Sequence, residues 1–214
     1  MKLQWPWQRS AAVDSTRWLV VDVESTGLDP YSDRLLAIAG VAVRFEESRP
    51  YLDPSDSFEV VVQQNAPKVD KSNILIHGIG VGAQRDGVDP VQALAAFEQW
   101  AGNAALVGFH SPFDEAMINR ATSKFLGKKL PNVWLDLAWV APLAMPKEKA
   151  RSLDDWMDLR QVTCAVRHQA AADAWATAQL LQSLWPALQA QKEPLDAQSL
   201  RRRAEQLRWL SKSG

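Results

Sequence analysis

Apolar residues are distributed differently in the two halves of the chain. The opening half holds three short apolar runs separated by polar, turn-rich segments: Trp18–Val23 (WLVVDV), Leu35–Phe45 and Phe58–Gln63 (FEVVVQ). Short runs rich in β-branched residues predict buried strands. Their brief connections predict an antiparallel meander. Residues 1–16 carry no such run and predict a polar or irregular lead-in.

The later pattern is helical. Asp89-Pro90 has a capping acid followed by proline at the first helical position, predicting a helix to about Ala101. Ala105–Phe109 (ALVGF) predicts another buried strand, and Ser111-Pro112 a second capped start, for a helix to about Leu126. Asp136 predicts a cap for a helix stopping before Pro142, and Ser152 with Asp155 a capping box. Gln169–Leu188 predicts a long helix stopped or kinked near Pro186. Beyond Pro194, Leu200, Ala204, Leu207 and Leu210 recur at helical spacing. Strands first, then mixed strand and helix, predict an α/β domain of three layers with a central sheet.

Composition excludes several classes. With 214 residues, 47% hydrophobic and 23% charged, the chain is neither largely disordered nor a rod. Its single cysteine, Cys164, excludes a disulfide framework. No apolar run nears the ~20 residues that span a bilayer, and MKLQWPWQRS shows no apolar h-region, so no secretory signal is expected. A cytoplasmic protein without membrane contact is expected. The net charge of −1 is unlike a protein that coats nucleic acid. From Lys192 to Gly214, however, six Lys/Arg face three acids. The expected organisation is a lead-in (1–16), one domain (17–190) and a basic amphipathic C-terminal helix or tail (191–214). Most of the ten tryptophans are expected in the core.

Three elements carry candidate chemistry. Asp22-Val23-Glu24 ends the first strand, where residues i and i+2 share a face, so two carboxylates project together. Their mutual repulsion is relieved by a hard divalent cation with oxygen ligands. Asp114 heads the helix after ALVGF. His168 and Asp173 (HQAAAD) place a histidine on the loop entering the long helix and a carboxylate one turn inside it. Each element alone has a plainer reading: an acidic strand end, an acid complementing the helix dipole, a capping or surface histidine.

Together and in this order, D-x-E-S-T-G, F-D and H-x(4)-D resemble the DEDDh, or DnaQ-like, family of 3′→5′ exonucleases, which includes the proofreading epsilon subunit of bacterial polymerase III and RNase T. Ile76-His77-Gly78-Ile79, Leu135-Asp136-Leu137-Ala138 and Ser152-Leu153-Asp154 resemble further family segments. The match departs at Ser25, Ala37, Gly80 and Ser111, none of them a ligand position.

The resemblance implies an RNase H-like α/β/α fold with a mixed sheet. It also implies a metal-dependent 3′→5′ exonuclease acting on single-stranded DNA or RNA and releasing nucleoside 5′-monophosphates. Asp22, Glu24, Asp114 and Asp173 would hold two Mg²⁺ ions, with Mn²⁺ able to substitute, and His168 would be the general base. Ser25, Thr26, Gly27, Leu28, His77 and Phe113 would contact substrate. The alternative is a non-catalytic nucleic-acid- or partner-binding module on the same fold. In the tail, Gln206-Leu207-Arg208-Trp209-Leu210 resembles peptides that bind the sliding clamp, implying a clamp or polymerase contact.

Overall fold

A computed structural model describes residues 14–66 and 71–212. β1 (Asp14–Ser25), β2 (Leu35–Glu46) and β3 (Arg49–Val61) form the expected antiparallel meander. Two short helices follow, α1 (Lys71–His77) and α2 (Val81–Asp86), then α3 (Pro90–Ala101) and β4 (Ala104–Gly108). α4 (Pro112–Leu126) leads to β5 (Trp134–Asp136), α5 (Leu137–Ala144), α6 (Leu153–Arg160), α7 (Ala170–Gln189) and α8 (Ala197–Lys212). β4 pairs parallel to β1, and β5 parallel to β4, so the sheet is mixed, in the order β3-β2-β1-β4-β5.

The alternation of β1 sorts the core into two layers. Leu19, Val21 and Val23 point to one face and pack with Leu94 and Phe97 of α3 and Met117 and Ile118 of α4. Trp18 and Val20 point to the other, against α5, α6, α7 and α8. Helices therefore cover both faces, giving the three-layer α/β arrangement that the chain pattern predicts. Trp18, Phe45 and Trp185 pack edge-on or tilted, with ring centroids 4.8–5.6 Å apart. Trp100 stacks on Phe58, and Trp156 is fully buried, so these tryptophans are core residues.

Several expected boundaries are corrected. β1 begins at Asp14, inside the expected lead-in; residues 1–13 lie outside the described residues. β3 begins at Arg49 rather than Phe58, because Glu47 and Ser48 form a two-residue hairpin with φ of 48° and 64°. β3 is an edge strand, where Pro50 and Pro54 cost no central ladder bond. α5 runs through Pro142 and α7 through Pro186. The Asp89 cap and the Ser152–Asp155 capping box form as expected, but the Ser111 side chain makes no capping bond. The expected amphipathic C-terminal helix forms as α8 and docks through Ala197, Leu200 and Ala204, which join the core. Among the described residues no helix is long and apolar enough to cross a membrane.

Candidate active site

Asp22 and Glu24 continue the Trp18–Val20 side of β1, so they emerge on the face covered by α7. α7 begins at Ala170, and the Ala170 N–H donates to the Glu24 carboxylate. Asp173 lies in the first turn of α7, buried. Asp114 reaches the same place from α4 and is also buried. Its carboxylate accepts the Val23 N–H, which ties the start of α4 to the end of β1.

Gly108 makes this approach possible. A Cβ there would lie 3.1 Å from the Ser111 side chain, 3.2 Å from Asp114 Oδ2 and 3.3 Å from Val21 O. Asp136 braces the same turn. Its Oδ1 accepts the His110 N–H at 2.9 Å and the Ala138 N–H at 3.1 Å. One carboxylate thus caps α5 and holds His110 at φ 59°, immediately before α4.

The electrostatics mark one shared acidic site. Burial pushes the Asp22 carboxyl well above its ordinary range, and the charges of Asp114, Asp173 and Glu24 push it further. Burial pushes Glu24 up to about 8, with Asp173 adding to the effect. Burial also raises Asp114, although its own N–H and that of Val23 pull the other way. All four expected ligands are therefore electrically coupled, drawn from β1, α4 and α7.

Among the described residues, no three His, Cys, Asp or Glu side chains form a ready-made metal cage. Asp173 is otherwise engaged: Arg167 Nη1 donates to its Oδ1, and the His168 N–H donates to Oδ2 at 3.0 Å. The donor set nonetheless fits a hard divalent ion. Its side chains are all carboxylates, they repel one another, and a cation, Arg167, already reaches them. His168 is exposed on the loop before α7, with φ 63°.

The remaining expected residues separate. In the turn after β1, Thr26 is buried. Its hydroxyl donates to Asp33 Oδ1 at 2.9 Å and accepts the Arg34 N–H at 2.9 Å, while its own N–H donates to Arg34 O. Thr26 thus ties the turn after β1 to Asp33 and Arg34. Ser25 Oγ donates to Gly27 O at 2.6 Å, and Asn73 Nδ2 of α1 donates to Ser25 O at 2.9 Å. Leu28 stands 92% exposed at the tip. His77 is buried; its Nδ1 accepts the Ile79 N–H at 3.0 Å, and among the described residues its Nε2 has no hydrogen-bond partner. Phe113 is half-buried and packs on the α3–α4 side of the core.

Three residues beyond the expected set bear on the site. Arg167 clasps Asp173, Asp154 anchors Arg167 at 2.6 Å, and Asp136 holds the α4 turn. The signal for Arg167 was its place directly before His168. For Asp136 it was a capping position at the end of a strand.

Comparison with known proteins bears on the family and the fold. A family model described as "Exonuclease" (the RNase T group) matches residues 19–181. A PolC-type DNA polymerase III of Listeria monocytogenes is 29% identical over 170 residues, covering 79% of this chain and 11% of that protein. The Bacillus subtilis PolC-type enzyme is 28% identical over the same share. The chain thus spans about a tenth of the length of these relatives. Among solved structures, E. coli Exonuclease I in complex with a dA16 oligonucleotide aligns with TM-score 0.64 at 16% identity, covering 82% of this chain and 43% of that one. A product-bound exonuclease I aligns with TM-score 0.65 at 16% identity, covering 84% and 47%. At such identity the structural match establishes the fold, here RNase H-like. With a family model spanning residues 19–181, three quarters of its length, the chain belongs to the exonuclease family, in the DnaQ-like, DEDDh-type group.

Proposed function

We propose that this protein removes nucleotides from the 3′ end of single-stranded DNA or RNA and releases nucleoside 5′-monophosphates. The observation that carries the reading is the coupling of Asp22, Glu24, Asp114 and Asp173 at one carboxyl end of the sheet. These four would hold two divalent ions, Mg²⁺ in the cell with Mn²⁺ as substitute. The ions would supply Lewis-acid stabilisation of charge at phosphorus and a more acidic water.

The chain's own residues do the rest. Asp22, whose charge meets the other three, lies at the centre of the set. His168 is exposed and sits one residue before the α7 cap, where its imidazole is free to take a proton from water at the 3′ phosphate. Gly27 and Leu28 present backbone and an apolar tip to the terminal nucleotide, with Leu28 against the base. Ser25 sets the shape of that turn. Phe113, half-buried at the start of α4, would offer its ring to the same nucleotide. The unpartnered Nε2 of His77 is the group that residue would offer.

The E. coli exonuclease I structure with a dA16 oligonucleotide supports a single DNA strand as ligand, and the PolC-type relatives support a polymerase context. A sliding-clamp contact through Gln206–Leu210 would engage α8, where Trp209 and Leu210 are exposed. The test uses 5′-labelled DNA and RNA strands of one sequence, with Mg²⁺, Mn²⁺ or EDTA. A metal-dependent ladder shortening from the 3′ end, lost in His168→Ala, supports the reading, and the faster polymer identifies the substrate. Absence of any ladder from folded, metal-supplied protein refutes it.

A further inference from the structure

The loop between α6 and α7 places a cation beside the candidate general base. Arg167 reaches two ways: Nε donates to Asp154 Oδ1 at 2.6 Å, and Nη1 donates to Asp173 Oδ1. The other oxygen of Asp173 accepts the His168 N–H at 3.0 Å. Two consecutive loop residues thus engage both oxygens of one buried carboxylate. The environments of the two anchors differ: the Asp173 side chain is 9% exposed and that of Asp154 62%.

A guanidinium on a desolvated carboxylate is a stronger partner than one on an exposed carboxylate. A divalent ion ligated by Asp173 binds these same two oxygens, and its charge repels the guanidinium held there. Arg167 and the ion therefore compete, and the loop that carries Arg167 also carries His168. We propose that Arg167 is a displaceable clasp. It neutralises Asp173 in the metal-free protein, opposes metal binding there, and on release stays tethered at Asp154. This rests on the metal-site reading above. It makes Arg167 a positioning residue for Asp173 and for the His168 loop, whose left-handed backbone at φ 63° is held by the same carboxylate.

The sign of the effect separates a clasp from a residue that assists metal binding. Mn²⁺ binding to the intact protein, to Arg167→Gln and to Arg167→Lys is measured by titration calorimetry at neutral pH without nucleic acid. Melting is followed in EDTA and in saturating Mn²⁺. Arg167→Gln is expected to bind Mn²⁺ about ten-fold more tightly, equivalent to ~1.4 kcal/mol. It should also melt lower than the parent in EDTA and show a wider gain on adding Mn²⁺. Arg167→Lys, with a point charge in place of the planar fork, should fall between. It carries the test if the glutamine variant does not fold: tighter binding than the parent supports the clasp, equal or weaker binding overturns it. Parent binding with no gain in Arg167→Gln overturns the clasp alone. No Mn²⁺ binding by any of the three overturns the metal-site reading and the clasp with it.

Discussion

Glu24 makes the metal-free protein sensitive to alkali. Burial and Asp173 push its carboxyl from 4.5 up to about 8. The folded state therefore holds a proton that the unfolded state has released. Stability contributed by that proton is fully present below about pH 4.5 and declines as pH rises toward 8. At ~1.36 kcal/mol per pH unit, the loss by pH 7 is about 3 kcal/mol. Glu24 is half-buried, and solvent screening lowers the expected figure to roughly 2 kcal/mol. Glu24→Gln carries no charge and escapes the loss. In urea titrations with EDTA, the variant should match the parent near pH 5 and exceed it by roughly 2 kcal/mol at pH 7. Added Mn²⁺ should raise the parent far more than the variant, since it binds the ionised form. A difference between the two proteins that stays constant from pH 5 to pH 8 would refute the reasoning.

Three other perturbations probe the surroundings. Asp136→Ala removes the acceptor for both the His110 and Ala138 N–H groups and should cost about 1–3 kcal/mol by urea titration; an unchanged midpoint would mean that water replaces the bond. Gly108→Ala places a methyl against Asp114 Oδ2 and should lower kcat more than it lowers the melting temperature, so a fully active variant would contradict the account. Leu28→Ala, at a 92% exposed tip, should leave the melting temperature within a degree or two and raise KM for the strand several-fold; an unchanged KM would remove Leu28 from the substrate surface.

The strands and the three acidic motifs were legible because each rests on local rules. β-branched runs make strands, and the period of two in β1 puts Asp22 and Glu24 on one face. The face itself followed only from packing, once Trp18 and Val20 were seen against α7. The early start of β3 was hidden because Glu47-Ser48 forms a tight hairpin without the usual glycine or asparagine. Pro142 and Pro186 read as helix breaks, yet both helices continue, their apolar faces buried in the core. The anchoring of Thr26 was not legible in the sequence. Asp33, seven residues on, takes its hydroxyl, a pairing no local pattern announces. The clasp of Arg167 on Asp173 depends likewise on how the loop enters α7.

The central claim is that the coupled carboxylates drive metal-dependent hydrolysis at a 3′ terminus. The most direct measurement follows the nucleotide released from a strand labelled at its 3′-terminal residue, for the parent and for Asp22→Ala of verified fold. The account predicts a nucleoside 5′-monophosphate from the parent only when Mg²⁺ or Mn²⁺ is present, and almost none from the variant. Release by folded Asp22→Ala at the parent's rate, or undiminished release in EDTA, would contradict it.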